Sequence, residues 1–279
     1  MSRQEIISYY EDCDIDYRLV WGIDLNFSLH YGFYDSTYIK HHEAVLNMNR
    51  VLANKAGIKA NDKVLDAGCG VGGSCLWLAR KRHAKMTGIN ITRIQLERAK
   101  TLAKNQGLSD LIEYQEADFL NTGFEDNTFD VVWGMEAVCY ADNKKEFLKE
   151  AYRILKPGGK IAIADGFVND TDPDPRHEKK LKAWLDGWAV PNLWGKNRFT
   201  KDLEDIGFKN IHFTDGSKNV VPSSRRMYKI AKLTGFGAKV LEFLRIRNKI
   251  QNKNVLAAEY QYPLLLDGAW VYGIFVAEK

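Results

Sequence analysis

Residues 64–73 read Val-Leu-Asp-Ala-Gly-Cys-Gly-Val-Gly-Gly, and this stretch decides the fold. A short apolar run ends in Asp66. Gly68, Gly70 and Gly73 then follow in a G-x-G-x-x-G pattern ahead of an amphipathic stretch at 74–81. Glycines at the carboxyl end of a strand let the chain turn tightly and let a ligand approach the backbone. The spacing alone admits two nucleotide cofactors. A nicotinamide dinucleotide calls for an acidic residue about 20 positions further on, to hold ribose hydroxyls. The next apolar run instead ends in Thr-Gly-Ile-Asn-Ile-Thr (87–92), which has no carboxylate. Asp66, ahead of the glycines, suits an amino-acid-like ligand better than a pyrophosphate.

Working outward, apolar runs at 63–67, 84–89, 112–116, 129–135 and 160–164 read as strands. Helices are expected between them at 74–81, 91–107 and 144–155, with Pro157-Gly158-Gly159 turning the chain before the last strand. Such alternation predicts a parallel sheet covered on both faces. A turn-rich stretch at 169–175, a helix carrying Trp184 and Trp188, a short helix at 200–206 and strands at 210–215 and 270–277 complete the reading. Upstream, residues 1–58 are helical and rich in aromatics, with a helix from about Tyr38 to Gly57. Residues 216–269 form an insert of two or three helices. From Lys218 to Lys253 it holds ten Lys/Arg and one acid, Glu242. The expected organisation is a lid (1–58), a core (59–215 and 270–279) and a helical cap (216–269).

The 279 residues are 45% hydrophobic and 27% charged, which excludes wholesale disorder. A net charge of +4 is too weak to indicate nucleic acid or membrane. Cys13, Cys69, Cys75 and Cys139 form no C-x-x-C pair and no zinc spacing with the six histidines, so reduced thiols and no metal are expected. The polar, acidic first residues resemble no signal peptide, and no apolar run approaches the ~20 residues of a membrane span. A cytoplasmic location is expected. The expected partners are a small apolar substrate and, at most, a second copy of the chain.

The ordered segments VLDAGCGVGG (64–73), GINIT (88–92) with Gln95 beyond it, EADF (116–119), FDVVWGMEAV (129–138) and ILKPGGKIAIADG (154–166) resemble the motifs of class I S-adenosylmethionine-dependent methyltransferases. The resemblance covers about residues 60–166 and the terminal strands. It implies an α/β, Rossmann-like, doubly wound sheet of seven strands, the last antiparallel. S-adenosylmethionine would lie across the ends of the first two strands and leave as S-adenosylhomocysteine. Carried over, Asp66, Gly68, Cys69 and Gly70 surround the methionine part. Asn90, Ile91 and Gln95 sit by the ribose, with Gln95 where many members place an acid. Asp118 holds the adenine amino group, Phe119 flanks the ring, and Glu136 stands at the mouth of the methyl site. Ser8-Tyr-Tyr-Glu, Asp16-Tyr-Arg-Leu-Val-Trp-Gly and Leu29-His-Tyr-Gly are similar to the opening of sterol, tocopherol and terpenoid methyltransferases, in which this segment closes over the cofactor. On that basis Tyr9, Tyr17 and Trp21 are expected to contact it.

Glu136, Tyr140 and Asp165 are the candidates for chemistry. O-methyltransferases of this group often place a His where Tyr140 stands. Here residues 135–140 read MEAVCY, and a phenol of ordinary pKa near 10 is a poor base. The preferred expectation is therefore C-methylation of an isoprenoid or prenylated natural product. Glu136 and aromatic faces would steady a carbocation, and Asp165 would act as base or orienter. O- or N-methylation is the alternative. Residues 135–138, Met-Glu-Ala-Val, lack the Asn/Asp-Pro-Pro-aromatic motif of enzymes that methylate nucleic-acid amino groups, so no nucleic-acid partner is expected. Arg225 and Arg226 sit either at a solvated helix start or against an anionic substrate group.

Overall fold

Strand β1 (Lys63–Ala67) pairs in parallel with β2 (Lys85–Asn90) on one side and β4 (Phe129–Met135) on the other. Together with β3 (Ile112–Glu116), β5 (Leu155–Val168), β6 (Lys209–Asp215) and β7 (Trp270–Glu278) they make a seven-stranded sheet in the order β3-β2-β1-β4-β5-β7-β6. Only β7 runs antiparallel to its neighbours β5 and β6. The structure is a computed structural model; it describes residues 1–21, 23–170 and 174–279, and gives the backbone alone for Val20, Trp21, Asp24 and Leu25.

The period of two along each strand feeds two apolar layers. Val64, Trp133, Ala162 and Ala164 face one layer with Met48, Leu52, Leu78 and Leu96. Leu65, Val132, Ile161 and Ile163 face the other with Phe147, Leu148, Phe199 and Leu203. The first layer is covered by α4 (His41–Ala56), α5 (Gly73–Arg82) and α6 (Arg93–Asn105), the second by α7 (Lys144–Ile154) and α9 (Lys196–Ile206). Met48 and Leu52, one turn apart on α4, are fully buried, and each such side chain stabilises the fold by roughly 1.5–3 kcal/mol. Gly57, at φ 70, ends α4 in the left-handed conformation that glycine adopts freely.

Several expected boundaries move. The helix expected from about Tyr38 starts at His41, and the one expected from 91 starts at Arg93 with Thr92 as its N-cap. The expected 160–164 strand runs from Leu155 to Val168. Phe129 pairs with Leu155 and Val131 with Lys160, so residues 156–159 bulge out within the strand instead of turning the chain before it. Proline lacks the donor a ladder needs, and Gly158 supplies a positive φ of 75, so the irregularity sits where the sequence permits one. Residues 171–173 of the turn-rich stretch lie outside the described residues. Trp188 caps the helix α8 (Pro175–Gly187) that carries Trp184.

Before the core come α1 (Arg3–Asp12), capped by a reciprocal Ser2–Glu5 box, α2 (Asp14–Asp16), a π-helical turn at Tyr17–Trp21 and α3 (Ile23–Asn26). Two bidentate ion pairs pin this segment, Arg98 on Asp14 and Arg247 on Asp16. The 216–269 stretch is a hairpin of two long helices, α10 (Ser217–Phe243) and α11 (Lys249–Leu266). All four cysteines are buried and free. Among the described residues no helix is long and apolar enough to cross a membrane.

Candidate active site

At the carboxyl ends of β1, β2 and β4 lies a cavity of about 760 Å³, counting its solvent-open mouth. Its floor is the loop between β1 and α5. The backbone N–H groups of Gly68 and Cys69 both donate to the Ile89 carbonyl at the end of β2, tying the loop to the neighbouring strand. Gly68 holds φ 87 with the Ala137 methyl beneath it, so only a residue without Cβ fits without strain. At Gly73 a Cβ would lie 2.1 Å from the Phe27 carbonyl oxygen. That glycine lets the N-terminal segment close directly over the loop.

Asp66, Gly68, Cys69, Gly70, Asn90, Ile91, Gln95, Phe119 and Glu136 all line this cavity. Asn90 donates to Gln95 at 2.7 Å, which orients both at the end of β2. Asp66 is buried with one thiol donor, Cys75, at 3.2 Å, and that burial lifts its carboxyl to about 7. From the N-terminal segment His30, also on the lining, donates from Nδ1 to the Tyr31 carbonyl, since a carbonyl only accepts. Burial holds its imidazole down at about 4, so it is neutral at pH 7. The buried His30 Nε2 and Thr92 Oγ1, both on residues of the lining, have no hydrogen-bond partner among the described residues.

A second cavity, about 630 Å³ counting its solvent-open part, adjoins the first. Tyr10, Leu29, Glu136 and Tyr140 line both, so these four residues form the junction. Beyond it the walls include Trp184, Trp188, Trp270, Tyr17, Tyr31, Tyr272, Cys139 and aliphatic residues, with Glu136 and Asp165 as the only carboxylates and no Lys, Arg or His among the described residues. Glu136 Oε1 accepts from the Tyr31 N–H and the Tyr272 hydroxyl, each at 2.8 Å. Enclosure pushes its carboxyl well above the usual range, against the pull of these two donors. Its backbone sits at φ 49, a conformation disfavoured for a side chain of this kind. Asp165 is spoken for by backbone: Oδ2 accepts from Cys139 N–H and Oδ1 from Gly166 N–H, while burial raises its carboxyl.

The lid residues are arranged differently from expectation. Tyr9 and Tyr17 do not line the first cavity. They share a hydrogen bond with each other and pack on Cys13, and Tyr9 also donates to Asn254 on α11. Ile6 and Tyr10, on the neighbouring face of α1, reach that cavity instead, while Tyr17 lines the second. The helical period decides this, because Tyr9 and Tyr10 point about 100° apart. The Trp21 expectation falls outside the described side chains. Tyr10 donates to the Tyr140 hydroxyl at 2.8 Å, and Tyr140 donates to the Trp188 carbonyl, so Tyr140 latches the lid to the core. Asp118 is also placed otherwise: it lies beside the first cavity without lining it, one oxygen accepting from Leu120 N–H.

Sequence reasoning assigned no role to His30, Tyr31 or Tyr272. The first two sit in the quoted Leu-His-Tyr-Gly segment, a signal that could have been followed. Tyr272 reaches Glu136 from 136 residues away and left no local trace.

A methyltransferase domain model matches residues 65–163. The chain is 34% identical over 215 residues to sterol 24-C-methyltransferase of Saccharomyces cerevisiae, covering 76% of this chain and 55% of that protein. It therefore spans little more than half of that relative's length. With cycloartenol-C-24-methyltransferase of Arabidopsis thaliana it shares 30% identity over 85% of this chain and 74% of the plant protein. Among solved structures, geranyl diphosphate C-methyltransferase from Streptomyces coelicolor A3(2) superposes with a TM-score of 0.76 at 16% identity, covering 99% of this chain and 97% of that one. The last is a likeness of fold.

Proposed function

The chain belongs to the class I S-adenosylmethionine-dependent methyltransferases, and we propose that it methylates a carbon of an apolar, alkene-bearing isoprenoid. One observation carries the reading. The cavity beside the glycine loop adjoins, at Glu136, a second chamber walled by aromatic rings and, among the described residues, free of basic side chains.

The first cavity fits the cofactor. Asp66 and the glycine loop suit the methionine part, whose ammonium would draw the Asp66 proton off. Asn90 and Gln95 suit the ribose, and Phe119 a face of the adenine. His30 Nε2 and Thr92 Oγ1 are buried polar atoms for which a ligand is the natural partner. When bound, S-adenosylmethionine supplies an electrophilic methyl group.

The chain's own residues do the rest. Tyr10, latched through Tyr140, and Leu29 wall the junction and exclude water there, so that acceptor carbon and methyl group meet across it. An alkene needs no base before it attacks, and the positive charge it then acquires needs stabilising. Glu136, held by Tyr31 and Tyr272, supplies a carboxylate, and the aromatic walls supply their negative faces. Nearby positive charge favours the ionised carboxylate that enclosure disfavours. Asp165, fixed by two backbone donors, is placed to take the proton lost afterwards.

Calorimetry with S-adenosylhomocysteine and with nicotinamide dinucleotides tests the cofactor assignment. Binding of S-adenosylhomocysteine alone is expected. Binding of a dinucleotide alone overturns it.

A further inference from the structure

The outer face of the α10–α11 hairpin is apolar where a soluble helix is polar. Inward, α10 buries Met227, Ala231 and Ala238. At 100° per residue, Leu233, Phe236, Val240, Phe243 and Leu244 fall on the opposite side. Leu233, Phe236 and Phe243 are 84%, 81% and 86% exposed, and Ile246 beyond the helix end is 68% exposed. The stripe from Leu233 to Leu244 spans about 16 Å. Large side chains gathered this way mark an interaction surface.

The charge around the stripe identifies what covers it. Lys229, Lys239, Arg245, Lys249 and Lys253 are exposed along the hairpin. The one acid between residues 218 and 253, Glu242, is turned to Asn252. A second copy of the chain meeting this face through its own would bring two sets of cations together. A negatively charged bilayer instead matches both features, an apolar face for the acyl boundary and lysines for the headgroups. A groove between α10 and α11 opens beside the stripe, with the exposed Leu19 and Leu241 on its lining, and Trp188 lines both this groove and the second cavity.

We propose that the tip of the α10–α11 hairpin seats on an anionic lipid surface, lying in its interface without spanning it. The groove then holds an apolar acceptor out of water against Trp188, the wall it shares with the second cavity, a consequence that rests on the isoprenoid reading.

Co-sedimentation with phosphatidylcholine vesicles, with and without phosphatidylglycerol, tests the surface without catalysis, so its failure leaves the methyl-transfer reading standing. The chain is expected to pellet with the anionic vesicles, and less so as salt rises. A Phe236→Asp/Phe243→Asp variant is expected to bind on the order of 10²-fold more weakly. Both residues are exposed, so its fold and its affinity for S-adenosylhomocysteine are expected to stay unchanged, which separates lost docking from lost folding. Three results overturn the proposal: no binding to anionic vesicles, equal binding to both vesicle types, or a lipid-free dimer that the double variant converts to monomer in analytical ultracentrifugation.

Discussion

Replacing Asp66 by Asn probes the floor of the cofactor cavity. The Asp66 side chain is 2% exposed, and burial raises its carboxyl from 3.8 to about 7. Between those values the folded protein holds a proton that the unfolded chain has released, so this group's contribution to stability falls as pH rises. From pH 5 to about 7 the loss is about 1.4 kcal/mol per unit, so on the order of 3 kcal/mol is gone by pH 8. Asn carries no such proton. The stability difference between Asp66→Asn and the parent should therefore shift toward the variant by that amount between pH 5 and 8. Taking the difference cancels every other titrating group. Affinity should move oppositely: S-adenosylhomocysteine, with its ammonium, needs the ionised carboxylate. In the parent its Kd should tighten by up to about tenfold per pH unit below 7, because one proton leaves on binding. In the variant binding should be weak and its pH dependence flatter. Urea denaturation and calorimetry at both pH values read these quantities. Equal pH dependence of stability in both proteins, with full affinity in Asp66→Asn, would refute the reasoning.

Glu136→Gln should lower kcat by about 10²–10³, the scale of a lost electrostatic contact to a transition state, while Tyr140→Phe keeps its ring and much of its activity. Steady-state kinetics with cofactor affinity measured alongside decides, and the reverse order would favour a hydroxyl acceptor. Gly68→Ala places a methyl 2.6 Å from that of Ala137 at φ 87, so thermal denaturation should show a loss of at least about 1–2 kcal/mol, and calorimetry weakened cofactor binding. His30, held at about 4 against 6.5, contributes stability that is present above pH 6.5 and disappears as pH falls through 4. The loss is about 3 kcal/mol, and His30→Gln should show correspondingly less acid destabilisation in urea titrations.

The strands around the site were legible because they are buried on both faces and preceded by Asn/Asp turn residues (61–62 and 126–127), so KVLDA and FDVVWGM stand out from one sequence. The loop residues of the first cavity were legible because the backbone there demands particular residue types, as at Gly68. The lid was harder. An aromatic-rich helix says that rings pack, and only its rotation about the axis decides that Tyr10 rather than Tyr9 enters the cavity. The second chamber was least legible. Its walls come from α8, β7 and the segment before α4, and the Tyr31 and Tyr272 contacts to Glu136 depend on tertiary approach. Residues 156–159 hid an irregular strand, since Pro-Gly-Gly reads equally well as a turn.

The central claim is methyl transfer to carbon in an aromatic, cation-tolerant chamber. Incubating the chain with S-adenosylmethionine carrying an isotope-labelled methyl group, in the presence of apolar prenylated alkenes and their hydroxylated counterparts, tests it most directly. Nuclear magnetic resonance of the product then places the label. The label on a former alkene carbon is the predicted result; the label exclusively on oxygen or nitrogen would contradict the account.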